Sequence, residues 1–156
     1  LYKGSKDGIK PGMGVFNSQG IVGRVKSVSE NYSVAFSVLN TSLLISAKIK
    51  STEVFGSVQW DGGNASEVQL LYVPRHVKAS KGDAVVTSGF NAVFPEGILI
   101  GQISRVEVNK KDPNYLALTV KLSTDFTKLT YVYLVENTQF QELDSLYRQS
   151  DLTNEY

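Results

Sequence analysis

The chain has 156 residues, of which 42% are hydrophobic and 20% charged, a balance typical of a folded domain rather than a disordered segment. Its net charge of +1 argues against nucleic acid as a partner, because affinity for nucleic acid comes largely from neutralised phosphates. The absence of cysteine excludes disulfides, thiolate metal sites and cysteine nucleophiles. No run approaches the roughly 20 apolar residues of a transmembrane helix. The abrupt start at Leu1, without an initiator Met, predicts a fragment of a longer protein.

Alternation of apolar with small or polar residues dominates the chain and predicts an all-β fold of many short strands. Turn-forming segments rich in Gly, Pro, Asn and Asp separate these strands. Many short strands with close turns favour a barrel or a sandwich. In chain order, strands are predicted at residues 20–28, 33–38, 43–49, 55–60, 68–73, 83–88, 98–106, 116–122 and 131–135.

Only the C-terminal segment has helical spacing. Phe140, Leu143 and then Leu146 or Tyr147 recur at intervals of three to four residues. A cap at Asn137 or Thr138 is compatible with the start of a helix there. The sequence therefore predicts a helical tail over residues 138–156.

An internal echo suggests that the fold contains two similar units. Residues 12–38 and residues 82–122 share the pattern G-x-x-V, then G-x-[VI]-x-x-V, then an alternating strand. The glycines are expected where a barrel strand bends sharply and a side chain would crowd its neighbour. We therefore predict two small β-barrels of similar topology, residues 1–75 and 76–137, that meet near Pro74 to Lys81. The sequence leaves open whether a strand is exchanged between the two barrels. The alternative to a true repeat is that the two halves converged independently on a similar barrel sequence pattern.

Catalytic and metal-binding arrangements are poorly represented in the sequence. His76, Asp83 and Ser88 have the order of a chymotrypsin-like triad, but they lie in one short stretch, and no glycine-rich turn for an oxyanion hole follows Ser88. His76 is the single histidine, and its basic neighbours predict a surface position. No calcium-loop spacing or phosphate loop is present. The sequence therefore predicts no catalytic, metal or cofactor site.

One apolar loop is the best candidate for a binding function. Residues 89–95 carry Phe90 and Phe94 between turn-forming residues, and apolar residues in a loop need either a core to enter or a partner to contact. Because Phe94 precedes Pro95, its backbone is biased towards an extended conformation. We expect the loop to anchor its barrel through one ring and to face a partner through part of its surface.

The same loop carries a family resemblance. Residues 82–101 resemble the pattern of the MreC family, G-D-x-V-x-T-S-G followed by F-P-x-G-I-x-[VI]-G. Upstream, residues 8–15 resemble G-[VI]-x-x-G-M-x-V, and residues 20–25 resemble G-[LIV]-V-G-x-V. The similarity spans residues 4–135 in order. The motif loop and its candidate partner contacts are Thr87, Ser88, Gly89, Phe90, Phe94, Pro95, Gly97 and Gly101.

The resemblance implies a non-enzymatic scaffold of the bacterial cell elongation complex, on the periplasmic side of the inner membrane. Members of the family are bitopic proteins in which a coiled coil precedes paired β-barrels, so the resemblance implies a membrane anchor outside this chain. It also implies binding to a class B penicillin-binding transpeptidase, action beside MreB, MreD and RodA, and self-association.

Two other classes of function are weighed against this interpretation. A hydrolase of the paired-barrel type is disfavoured by the poor triad. A secreted adhesin or carbohydrate-binding domain would use Trp60 and the tyrosines as a stacking platform. Capture of a transpeptidase or of glycan from envelope extracts would separate the scaffold from the adhesin.

Overall fold

The computed structural model describes residues 1–91 and 93–153, and within them the chain is built from short β-strands followed by one α-helix. The predicted all-β fold with a C-terminal helix is confirmed; residues 154–156 of the predicted tail lie outside the described residues. The elements are β1 (Gly14–Phe16), β2 (Ile21–Val28), β3 (Ser33–Ser37), β4 (Ile45–Ile49), β5 (Val54–Gln59), β6 (Glu67–Leu71), β7 (Ala84–Thr87), β8 (Leu99–Val108), β9 (Leu116–Leu122), β10 (Tyr133–Val135) and α1 (Thr138–Thr153).

The strands form one closed barrel and one four-stranded sheet. The barrel has the strand order β4-β5-β6-β9-β8-β7, and the sheet has the order β10-β1-β2-β3. Every pairing is antiparallel. The predicted second closed barrel is not found among the described residues, because the four-stranded sheet does not close on itself.

The sequence echo corresponds to a structural repeat of three strands. The β2–β3 register shifts between Val25 and Ser27, and the β8–β9 register shifts at the equivalent place, between Ile103 and Arg105. The β1–β2 and β7–β8 pairs also each contain one register shift. Such bulges bend and twist a strand, so both meanders curve in the same way.

Two glycines of the echo allow the close approach of strands that this curvature needs. A Cβ on Gly23 would lie 1.7 Å from the carbonyl oxygen of Phe36 on β3. A Cβ on Gly101 would lie 2.0 Å from the carbonyl oxygen of Lys121 on β9. Both distances are far inside van der Waals contact, so any side chain here would force the paired strands apart. The close approach of β8 and β9 is the physical reason for the structural role predicted for Gly101.

Each three-stranded meander, β1–β3 or β7–β9, is followed in the chain by a strand that pairs with the other meander. The two repeats thus exchange their fourth strands. β4 follows the first meander but pairs with β7 of the second, and β10 follows the second meander but pairs with β1 of the first. The closed barrel therefore takes strands from both sides of residue 75, and the sheet takes strands from both ends of the chain. The boundary predicted between residues 75 and 76 lies within the closed barrel, whose strands follow one another in the chain from β4 to β9, whereas the sheet combines β1 to β3 with β10.

The larger hydrophobic core fills the barrel and continues to the sheet. Ile21 of β2 and Val38 after β3 belong to the same buried cluster as the barrel residues Ile49, Val58 and Leu118. A smaller cluster, which includes Val15 and Val25, lies on the sheet. A buried hydrogen bond of 2.8 Å from Thr124 Oγ1 to the Ile21 carbonyl oxygen also joins the units. Among the described residues, no helix is both long and apolar enough to cross a membrane.

Candidate partner-binding site at the loop of residues 87–97

The loop that follows β7 is closed at its base by Thr87. The Thr87 hydroxyl donates to the Pro95 carbonyl oxygen at 2.7 Å and accepts from the Ile98 N–H at 2.9 Å. The backbone adds a bond from the Gly97 N–H to the Thr87 carbonyl oxygen, and Thr87 itself is fully buried. Gly89 and Gly97 have φ values of 79° and 95°, which glycine adopts at no steric cost. The loop is therefore held tightly at its two ends.

Asn137 holds the middle of the loop from a distant part of the chain. Its amide Nδ2 donates to the carbonyl oxygens of Gly89, Asn91 and Phe94 at 2.8, 2.7 and 3.1 Å. Asn137 is only 3% exposed and lies between β10 and α1. Because β10 is the exchanged strand, the loop conformation depends on docking of the chain's C-terminal part. Loop carbonyls that would otherwise be buried without a donor are satisfied in this way.

Phe94 anchors the loop in the core. Its ring is 1% exposed and belongs to the main hydrophobic cluster. Gly14 of β1 lies directly against it: a Cβ on Gly14 would be 2.5 Å from a ring carbon of Phe94 and 2.7 Å from the Val93 carbonyl oxygen. Phe94 thus packs where the barrel meets the sheet, and it is not accessible to a partner.

Phe90 is the exposed ring of the loop. It is 61% exposed and packs against Phe55 of β5, which is 45% exposed, with ring centroids 4.4 Å apart and an angle of 56° between the planes. Ser88 supports the turn below it, because the Ser88 N–H donates to the Ser46 carbonyl oxygen at 3.1 Å. Two adjacent aromatic rings therefore face solvent, one from a loop with a fixed backbone and the other from β5. We call them the Phe55–Phe90 pair.

A buried ammonium group lies beside this pair. Lys48 of β4 pairs with Phe55 in the β4–β5 register, and its side chain is 6% exposed. Its Nζ donates to Glu96 of the loop and, at 3.2 Å, to Glu53. The bond to Glu96, and then the bond to Glu53, raise the pKa of Lys48 against the opposing effect of burial. The ion pair fixes the end of the loop to the barrel wall.

A groove separates the loop from α1. It has a volume of about 490 Å³ and runs between Phe90 and Glu96 on the barrel side and Leu143 and Tyr147 on the helix side. Both helix residues are largely exposed. The groove extends the apolar surface of the Phe55–Phe90 pair towards the C-terminal helix.

The sequence indicates the loop but not all of the residues that shape it. Thr87, Ser88, Gly89, Phe90, Phe94, Pro95 and Gly97 lie together, whereas Gly101 lies in β8 and belongs to the strand repeat. Phe55 begins the strand predicted over residues 55–60, but the sequence does not indicate its contact with Phe90. The sequence does not indicate that Lys48, Asn137 or Gly14 contacts the loop, because each is far from it in the chain. Asn137 is predicted only as a possible helix cap.

The three residues of the weak triad have separate surroundings. His76 is exposed beside Pro113 and Asn114. The Asp83 carboxylate accepts from the Ser80 N–H at 2.9 Å, and the buried Ser88 hydroxyl accepts from the Phe90 N–H at 3.4 Å.

The comparisons with known proteins identify the family. A family model described as "Rod shape-determining protein MreC, barrel core" matches residues 1–136. The chain belongs to the MreC family. The match ends at β10, so α1 and the helix side of the groove lie beyond the family's barrel core.

Curated relatives and solved structures agree with this assignment. The cell shape-determining protein MreC of Listeria monocytogenes is 33% identical over 140 residues, covering 87% of this chain and 47% of that protein. The Haemophilus influenzae MreC is 31% identical, covering 86% of this chain and 38% of that protein. The chain therefore spans about half, or less, of the length of these relatives.

Among solved structures, MreC of Listeria monocytogenes superimposes with a TM-score of 0.81 at 29% identity, covering 87% of this chain and 66% of that chain. A second structure is described as a complex between a penicillin-binding protein (PBP2) and MreC from Helicobacter pylori. It matches with a TM-score of 0.63 at 21% identity, covering 78% of this chain and 74% of that chain. At 21% identity, the similarity to the Helicobacter pylori structure establishes a shared fold alone.

Proposed function

We propose that this chain is a non-enzymatic scaffold that binds a class B penicillin-binding transpeptidase through the Phe55–Phe90 pair. The observation that carries the proposal is the exposure of two packed aromatic rings. Phe90 lies on a loop held by Thr87, Asn137 and Lys48, and Phe55 lies on the neighbouring strand β5. Aromatic residues on a rigid backbone supply contact area at low entropic cost, and they dominate the energy of many interfaces.

Family membership supports the choice of partner. The related Helicobacter pylori structure is a complex of MreC with a penicillin-binding protein, so a chain of this fold is compatible with such an interface. By the same family argument, we propose action within the rod complex with MreB, MreD and RodA, self-association, and a position on the periplasmic side of the inner membrane. The groove beside α1 would widen the contact surface, since its helix wall presents Leu143 and Tyr147.

The proposal is tested by the affinity of the chain for the periplasmic region of the class B transpeptidase of the same organism, measured by isothermal titration calorimetry. Phe90→Ala should weaken binding at least about tenfold, because an aromatic anchor at an interface contributes more than about 1.4 kcal/mol. Its free energy of unfolding should change by less than about 1 kcal/mol, since the ring is mostly exposed.

Phe36→Ala is the matched control. Phe36 is also a partly exposed phenylalanine, but it lies on β3 of the sheet, under the ammonium group of Lys26. This variant should bind like the wild type. Equal affinities for wild type, Phe90→Ala and Phe36→Ala would contradict the proposed contact, and absence of binding by the wild type would contradict the proposed partner.

A further inference from the structure

The four-stranded sheet does not close on itself, and β3 forms one of its two edges. Hydrogen bonds at the two ends of β3 show which backbone groups point away from the sheet. Just after β3, the Val38 N–H donates inwards to the Val22 carbonyl oxygen of β2 at 2.8 Å. At the start of β3, Ser33 points outwards and exchanges two backbone bonds with Leu1, at 2.8 and 3.1 Å. The edge thus already accepts one extended residue in antiparallel pairing.

The remaining backbone groups of this edge are open. Alternate residues of a strand point their N–H and C=O groups to the same side, so those of Ala35 and Ser37 face outwards like those of Ser33. Within residues 1–91 and 93–153, β3 pairs with β2 alone, and no backbone bond fills the outward groups of Ala35 and Ser37. Open backbone groups on a sheet edge are a template for pairing with another strand.

This edge lacks the features that normally keep sheet edges apart. Natural edge strands are protected by charged side chains, by proline or by bulges. Residues 31–47, which include the whole of β3, contain no charged residue and no proline, and the bulge of the β2–β3 pair lies on β2. On the solvent-facing side of the strand, Val34 is 59% exposed and Phe36 is 37% exposed. An unprotected edge that carries apolar side chains indicates a partner strand.

We propose that β3 pairs with β3 of a second copy of this chain, antiparallel and about a two-fold axis at Phe36. The inference rests on the self-association proposed above and gives it a surface. In this register Ala35 of each copy faces Ser37 of the other, so four backbone hydrogen bonds fill all the outward groups that are open. The two Phe36 residues then face each other as a non-hydrogen-bonded pair, in which the Cβ atoms lie about 4.5–5.5 Å apart.

The edge is complementary to itself, which favours a second copy as its partner. Two identical uncharged strands bring no like charges together, whereas a charged strand of another protein would find no opposite charge on residues 31–47. Aromatic rings in opposite positions form one of the favourable cross-strand pairs. The Lys26 ammonium lies over the Phe36 ring from β2, on the inner side of β3, and leaves the edge uncovered. Leu1 keeps its place, because β3 ends at Ser37 and the paired strand stops before the position opposite Ser33.

Sedimentation velocity of the 156-residue chain tests the pairing. The interface is one short strand pair, so the wild type should pass from monomer to dimer between about 10 µM and about 1 mM. Phe36→Lys should dimerise at least about tenfold more weakly, since two ammonium groups would meet at the axis. Val106→Lys is the matched control and should dimerise like the wild type, because Val106 lies on β8, is 38% exposed and undergoes the same change of charge.

Cysteine cross-linking tests the register and does not depend on the stability of Phe36→Lys. The chain contains no cysteine, so a single introduced cysteine can form a disulfide only between two copies. Phe36→Cys should cross-link under mild oxidation, because opposite residues of an antiparallel pair lie within disulfide distance. Val34→Cys, on the same side of the same strand, should not cross-link, because the two copies of residue 34 lie four residues apart along the strand, or about 13 Å.

The outcomes separate the edge from self-association as such. A wild type that stays monomeric over the whole concentration range would overturn the proposed edge together with self-association of this chain. Dimers that persist unchanged in Phe36→Lys, or equal cross-linking at positions 34 and 36, would overturn the edge alone. Neither experiment contains a transpeptidase, so binding through the Phe55–Phe90 pair is judged separately.

Discussion

The contact between Gly14 and Phe94 joins the sheet to the barrel, and a double-mutant cycle measures it. Phe94→Ala removes a fully buried ring and should destabilise the chain by about 3–5 kcal/mol. Gly14→Ala places a Cβ 2.5 Å from that ring and should cost about 1–3 kcal/mol through overpacking. Gly14 does not have a left-handed φ, so the cost of alanine there is steric.

The two changes should not be additive. Once the ring is gone, the new Cβ occupies part of the space that the ring filled, and its remaining close neighbour is the Val93 carbonyl oxygen at 2.7 Å. The double variant should therefore be more stable than the sum of the single changes predicts, by roughly 1–2 kcal/mol, within the range known for residues in contact. Urea unfolding followed by circular dichroism gives the four free energies.

Phe36→Ala combined with Gly14→Ala is the control cycle. Phe36 lies two strands away from Gly14 across the sheet, through Arg24 of β2. Separate sites of this kind add to within about 0.5 kcal/mol. If the Gly14–Phe94 cycle is additive to the same degree, the ring does not pack on β1, and the account of how the loop is anchored is wrong.

Three further predictions concern the loop and its supports. Thr87→Val should cost about 1–3 kcal/mol in urea unfolding, because both loop ends lose a buried hydrogen-bond partner, whereas Thr87→Ser should cost less. Asn137→Ala should cost roughly 2–4 kcal/mol and speed hydrogen exchange in residues 88–96, since three carbonyls lose their donor; unchanged exchange would show that the loop does not need it. Because the pKa of Lys48 is raised in the folded state, its ion pairs stabilise the fold fully at any pH below the pKa of the unfolded state, about 10.4. This contribution is lost as the pH rises through the higher pKa of the folded state. The stability difference between wild type and Lys48→Met should therefore shrink in urea melts above about pH 10.4, and a difference that grows there would contradict the ion pairing.

Local patterns in the sequence predicted β2 to β10, but not β1, whose three residues are too few to show a period of two. The echo around Gly23 and Gly101 predicted the repeat, and both glycines are found where strands approach most closely. The partners of β4 and β10 could not be predicted in this way. Their alternation specifies which face is buried but not which strand lies alongside, so the exchange and the resulting closed barrel became visible only in the structure.

The loop shows a similar division. Phe90 and Phe94 lie four residues apart between the same glycines, and no local pattern indicates which ring is buried. The difference comes from Gly14, whose missing side chain makes room for Phe94. Lys48 has the position of a solvent-facing strand residue, yet its side chain is only 6% exposed and forms ion pairs with Glu96 and Glu53. Interactions between distant segments decide both outcomes.

The central claim, that the Phe55–Phe90 pair contacts a penicillin-binding transpeptidase, is tested most directly by the hydrogen-exchange footprint of the complex. The free chain and the chain saturated with the periplasmic region of the transpeptidase would be compared peptide by peptide. We predict slower exchange in residues 53–59 and 88–91 on binding, with no change in residues 33–37 of the sheet. Protection confined to the sheet, or no protection of either aromatic segment in a complex that demonstrably forms, would contradict the account.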